Sequence, residues 1–132
     1  MKMWIGDPCY VLTESQYEQV LDRDLYCPEV DIDETFTCVV YNTFNGDGTF
    51  IDQNGKEYIV DSGQLCILPL ECVYHDPNRP WLVDCGQVYD DGDENWVNGF
   101  VDDHSEENGT IQFGEVVIKT GYEEEEEEDE EV

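Results

Sequence analysis

The sequence predicts a mainly β protein of the α+β class, a compact antiparallel sheet or sandwich of about seven or eight short strands with one N-terminal helix. Three observations lead there. Runs of β-branched and aromatic residues recur at short intervals between residues 35 and 120. They are punctuated by turn-forming clusters such as Asn45-Gly46-Asp47-Gly48 and Asp61-Ser62-Gly63. Only one segment carries a helical apolar face, with Tyr17, Val20 and Leu21 at i, i+3 and i+4.

In chain order, residues 3–5 and 10–12 read as short extended pieces around a turn at Gly6-Asp7-Pro8. Thr13 and Gln16 have the spacing of a capping box, which starts the helix predicted over 13–23. Residues 24–34 hold Pro28 and five acids and read as a loop. Strands are predicted at 35–43, 49–52, 57–60 and 65–68, and Asn54-Gly55 offers the residue pair preferred in a type I′ hairpin. Residues 81–83 and 87–89 read as extended on either side of a bulge at Gly86, 90–94 as an acidic turn, and 96–101 as a strand. Residues 104–109 read as a polar loop and 110–120 as one last strand. The domain is thus placed at 1–122, and 123–132 is expected to be a disordered acidic tail, since it has no apolar periodicity and repels itself.

Charge dominates the composition. Thirty-four Asp and Glu face five Lys and Arg, a formal net charge of −29. The run Glu123, Glu124, Glu125, Glu126, Glu127, Glu128, Asp129, Glu130 and Glu131 holds nine of the acids, so the remaining 25 against five bases still leave −20 in the body. Such a chain repels nucleic acid and anionic membranes, because phosphate binding needs Lys and Arg. Its field steers it instead toward basic partners, many of which bind nucleic acid. The plainer reading of the charge is solubility, or adaptation to high salt. No apolar stretch has the length of a secretory h-region or a membrane span, which predicts a cytoplasmic protein. The six cysteines include no pair at Cys-x-x-Cys spacing and are expected to be reduced thiols.

Ile5-Gly6-Asp7-Pro8-Cys9-Tyr10-Val11, Gly46-Asp47-Gly48-Thr49-Phe50, Val60-Asp61-Ser62-Gly63 and Ile67-Leu68-Pro69-Leu70 together resemble a family of small proteins encoded by tailed bacteriophages, over about residues 4–71. The resemblance implies a phage origin, a compact β fold and residence in the infected host cell. It brings no catalytic residue.

Motifs with chemical potential each have a plainer reading. Cys9 beside Asp7 has the look of a nucleophile loop, yet a thiolate needs a base or a positive field. A turn in which Asp7 accepts backbone hydrogen bonds is the better account. Asp91, Asp93 and Asn95 match the first ligands of a calcium loop, but Trp96 stands where Gly is required and Asp102 where Glu is. His75-Asp76 and Asp103-His104 lack a defining spacing. No cofactor, metal site or enzyme activity is therefore predicted.

The constellation that favours binding is Asp84, Asp90, Asp91, Asp93, Glu94, Asp102, Asp103, Glu106 and Glu107, nine acids in 24 positions, interleaved with Trp81, Tyr89, Trp96 and Phe100. Duplex DNA carries about one charge per 1.7 Å of axis. Carboxylates on β turns can imitate that density, and aromatics such as Trp96 can anchor a partner. The expected function is a phage-encoded antagonist that covers the basic, nucleic-acid-binding surface of a host protein, such as a defence nuclease or RNA polymerase. The alternatives are a virion or assembly component binding a basic phage protein, and a small enzyme acting on a nucleotide or signalling molecule. The last is hard to build with five bases.

Overall fold

The computed structural model describes residues 2–23, 27–90 and 104–121. Its elements are β1 (Lys2–Gly6), α1 (Glu14–Leu21), β2 (Glu29–Ile32), β3 (Phe36–Asn42), β4 (Gly48–Ile51), β5 (Glu57–Val60), β6 (Gln64–Pro69), β7 (Gln87–Asp90), β8 (His104–Glu107), β9 (Thr110–Phe113) and β10 (Val116–Lys119). Three short 3₁₀ turns lie at Pro8–Tyr10, Leu70–Cys72 and Pro80–Cys85. The strands form a five-stranded sheet in the order β2-β3-β6-β1-β7, a three-stranded sheet β10-β9-β8 and the hairpin β4-β5, and every named pairing is antiparallel. The mainly β reading with one N-terminal helix is thus what the chain adopts.

Two cores flank the large sheet. Side chains alternate across a strand, so β1 sends Met3 and Ile5 to one face and Trp4 to the other, and β6 splits Leu65 and Ile67 from Cys66 and Leu68. The first set packs with Tyr58, Ile111, Phe113 and Ile118 from the smaller sheets. The second packs with Val11, Leu12, Val20, Val30 and Ile32 under α1. Burial on both faces explains the unbroken apolar run of β6, all six of whose residues are buried. Trp4 is the largest buried side chain; its indole N–H donates to the Val83 carbonyl at 2.9 Å. Gly6 and Gly86 lack side chains because a Cβ on either would collide with the Trp4 ring.

Helix α1 starts where the capping box puts it. Gln16 N–H donates to Thr13 Oγ1 at 3.2 Å and Thr13 N–H donates to Gln16 Oε1 at 3.0 Å. Other elements differ from their sequence-based expectation. Residues 10–12 are not extended: Pro8 begins a 3₁₀ turn capped by Asp7. The stretch read as an acidic loop contains β2, whose Val30 and Ile32 are buried between outward acids, a period-2 pattern masked by the charge. Residues 81–83 lie in the 3₁₀ turn Pro80–Cys85, opened by a proline. The polar loop at 104–109 is β8 and its turn, and the single strand at 110–120 is two strands folded back at Gly114-Glu115. The acidic turn at 90–94, beyond its first residue, and the strand at 96–101 lie outside the described residues.

The type I′ turn expected at Asn54-Gly55 forms instead at Asn108-Gly109. Asn108 and Gly109 have φ of 55° and 90° between the paired Glu107 and Thr110, which is the two-residue type I′ arrangement. Asn54-Gly55 instead belongs to a three-residue loop. Gly55 N–H donates to the Asp52 carbonyl at 3.0 Å, and only Gly55 takes a positive φ.

Candidate partner-binding surface

Two carboxylates are buried among the described residues, and both are spent on structure. Asp7 is fully buried. It accepts from Cys9 N–H at 2.9 Å, Asp61 N–H at 2.7 Å, Ser62 N–H at 2.6 Å and Ser62 Oγ–H at 2.7 Å. The neighbouring turn joins the same cluster: Thr43 N–H donates to the Gly63 carbonyl at 2.9 Å, and Thr43 Oγ–H to the Gly46 carbonyl. The Gly-Asp-Pro-Cys, Gly-Asp-Gly and Asp-Ser-Gly motifs, far apart in sequence, are thus one interlocked group of turns. Asp52 holds the β4-β5 loop, accepting from Tyr58 OH at 2.7 Å, Asn54 N–H at 2.8 Å and Lys56 N–H at 3.1 Å. Burial acts to raise its pKa, but these donors and the Lys56 charge outweigh it and leave the carboxyl below the ordinary value. Burial and the facing Asp52 carboxylate push the Tyr58 phenol far up.

Cys9 is not an activated nucleophile. Burial, then the Asp7 charge, raises its pKa well above that of a free thiol, so it stays protonated at neutral pH. Tyr10 beside it is pushed up to about 12, again chiefly by burial. All six cysteines are free thiols, and Cys38 and Cys66 are buried in the second core.

Of the acids proposed from the sequence, Asp84 is exposed on the 3₁₀ turn Pro80–Cys85, and Glu106 and Glu107 are exposed on β8. Asp90 ends β7. Asp84 sits on an element packed against β5 and the Pro8–Tyr10 turn, whereas β8 pairs with β9. Asp91, Asp93, Glu94, Trp96, Asp102, Asp103 and the tail acids Glu123–Glu131 lie outside the described residues. Trp81 is 58% exposed, while Tyr89 packs partly against the first core.

A concentration of carboxylate that the linear reading missed lies around α1 and β2. Glu14, Glu18 and Asp22 are exposed on or beside α1, and Asp31, Asp33 and Glu34 are exposed on β2 and its turn. Asp33 ties the two elements together. It accepts from Gln16 Nε2 at 3.1 Å and Gln19 Nε2 at 2.6 Å, and its N–H donates to Gln19 Oε1 at 2.8 Å. The Gln19 bond, then the Gln16 bond, lowers its pKa and keeps it charged. The burial period of β2 was the signal that could have found this strip.

Next to it, β8 meets β2 and β3 through a hydrogen-bonded chain. His104 Nε2 lies 3.1 Å from Glu29 Oε2, and Nδ1 lies 2.6 Å from Tyr41 OH. An ionised carboxylate only accepts, so a neutral His104 carries its proton on Nε2 and takes the Tyr41 proton at Nδ1. Burial, then Glu106 and Glu29, raises the Tyr41 pKa. The chain borders a cleft of about 680 Å³ that also carries Arg23, Asn42, Phe44 and Ser105. Arg23 donates there to Val20 O at 2.8 Å and Asn42 Oδ1 at 3.0 Å. No group of three or more potential metal ligands converges among the described residues, and no helix there is long and apolar enough to cross a membrane. Comparison of the chain with protein-family models, curated proteins and solved structures gives no match.

Proposed function

We propose that the protein is an acidic binding module that covers the cationic, nucleic-acid-binding surface of another protein, and that it serves a phage as an antagonist of such a host protein. The observation that carries this reading is the charge of the chain, −20 even without its terminal acidic run. Most of that charge on the described residues points outward, with Asp7 and Asp52 the buried exceptions. Carboxylates fixed on strands and turns lose little freedom on binding, and a surface of one sign speeds encounter with the opposite one. Phosphate-binding Arg and Lys would meet carboxylates in place of phosphates.

The test is capture from host lysate on the immobilised full chain, with a salt series and a duplex-DNA competitor. Basic nucleic-acid-binding proteins should be retained at low salt and released both by salt and by DNA. Retention of none, or retention indifferent to DNA, would contradict the proposal.

A further inference from the structure

Strand β2 ends the five-stranded sheet and pairs with β3 alone among the described residues. Its register is Glu29↔Val39, Val30↔Cys38, Asp31↔Thr37 and Ile32↔Phe36, and Val40 N–H donates to the Pro28 carbonyl at 2.9 Å. In an antiparallel ladder, hydrogen-bonded and non-hydrogen-bonded pairs alternate. The Pro28–Val40 bond therefore places Val30 and Ile32 in bonded pairs with β3. Glu29 and Asp31 turn their N–H and C=O groups the other way, toward the open edge. There the Cys27 thiol makes a weak 3.6 Å contact with the Glu29 carbonyl.

An open edge is a template for another strand, and the charge of this edge selects which one. Val30 and Ile32 are committed to the core, so an incoming segment would find backbone groups and acids, with no apolar pocket to fill. Asp31, Asp33 and Glu34 are exposed along it, and α1, which packs against β2, carries exposed Glu14 and Glu18 with Asp22 at its C-cap. A second copy of β2 laid edge to edge would align like charges and be repelled. A segment rich in Lys and Arg would instead gain main-chain hydrogen bonds and charge pairing together.

We propose that the open edge of β2 is a docking strand for an extended, Lys- and Arg-rich segment of the partner, which adds to the sheet as a sixth strand beside Glu29 and Asp31. This rests on the reading that the partner is basic, and it goes further by naming where and how the partner attaches.

The test is an NMR titration of the full chain with a blocked octapeptide alternating lysine and valine. The Glu29 and Asp31 amides should shift and become protected from hydrogen exchange. Asp31→Pro removes an outward N–H and keeps the backbone bonds to β3, though it loses the bond that Thr37 Oγ1 donates to Asp31 Oδ1 at 3.1 Å; it should weaken the peptide about tenfold, the effect of losing one hydrogen bond. Asp31→Asn keeps the amide and should weaken it less. If Asp31→Pro does not fold, the peptide N-methylated on alternate amides takes its place, with a similar loss expected. Shifts confined to other surfaces, or full affinity for both the proline variant and the N-methylated peptide, would overturn the docking strand while leaving the acidic-module reading intact. Failure of this peptide and of oligolysine to bind anywhere would overturn both.

Discussion

Asp7 illustrates how a charged residue in a very acidic protein is withdrawn from the surface. Its carboxylate accepts four hydrogen bonds, three of them from backbone N–H groups in two separate turns. Hydrogen bonds to a charged acceptor contribute more than neutral ones, and orphaned buried donors are costly. Asp7→Ala should therefore destabilise the fold by about 3 kcal/mol, measurable by urea denaturation. Asp52 makes the same point through pH. Its folded pKa lies below the ordinary value, so its contribution is present above the unfolded pKa of about 3.9 and is lost as pH falls through the folded pKa. Wild type should lose stability relative to Asp52→Asn as pH drops below about 4, and the two should differ most at neutral pH. A difference independent of pH would contradict this assignment. The turn role of Asp7 was legible, since Asp before Pro in a Gly-Asp-Pro-Cys turn favours local hydrogen bonding. Its long reach to Asp61 and Ser62 was not, because no local pattern encodes which distant turn will lie beside it.

At the scale of elements, legibility followed local chemistry. Helix α1 was readable because Thr13 and Gln16 cap it within four residues, and β3 to β6 because turn residues bracket their apolar runs. β2 and β8 were missed for one shared reason. Each is a short strand rich in acids, and outward carboxylates on edge strands look like loop in a linear reading. The candidate site suffered most from this, since the α1–β2 strip is assembled from residues 14–22 and 31–34. The turn after β2 also bears strain: Asp33 and Glu34 take φ of 54° and 57°. The left-handed region costs a residue with a side chain about 1–2 kcal/mol, part of which glycine returns as backbone entropy. Glu34→Gly should thus raise stability by about 0.5–1 kcal/mol, seen as a higher thermal midpoint with the β2–β3 register unchanged by NMR.

For the whole molecule, self-repulsion is the price of the surface charge. Nineteen acids against five bases among the described residues crowd a small β body, which destabilises the compact state and is screened by salt. The melting temperature at pH 7 should rise with sodium chloride toward about 0.5 M, and also as pH is lowered toward about 5, before the Asp52 loss takes over. A melting temperature flat in salt would mean that the charges are compensated within the fold. Stability and binding then respond to salt in opposite directions, since screening favours the fold and weakens association with a basic partner.

That opposition points to the decisive measurement: displacement of labelled duplex DNA from a captured partner, followed by fluorescence anisotropy across a salt series, with the full chain and with a variant carrying Glu14→Gln, Glu18→Gln, Asp22→Asn, Asp31→Asn and Glu34→Gln. The full chain should displace DNA, displacement should weaken steeply with salt, and the variant should need a much higher concentration while remaining folded. Displacement by the variant equal to that of the full chain, or none by either at low salt, would contradict the acidic-module reading.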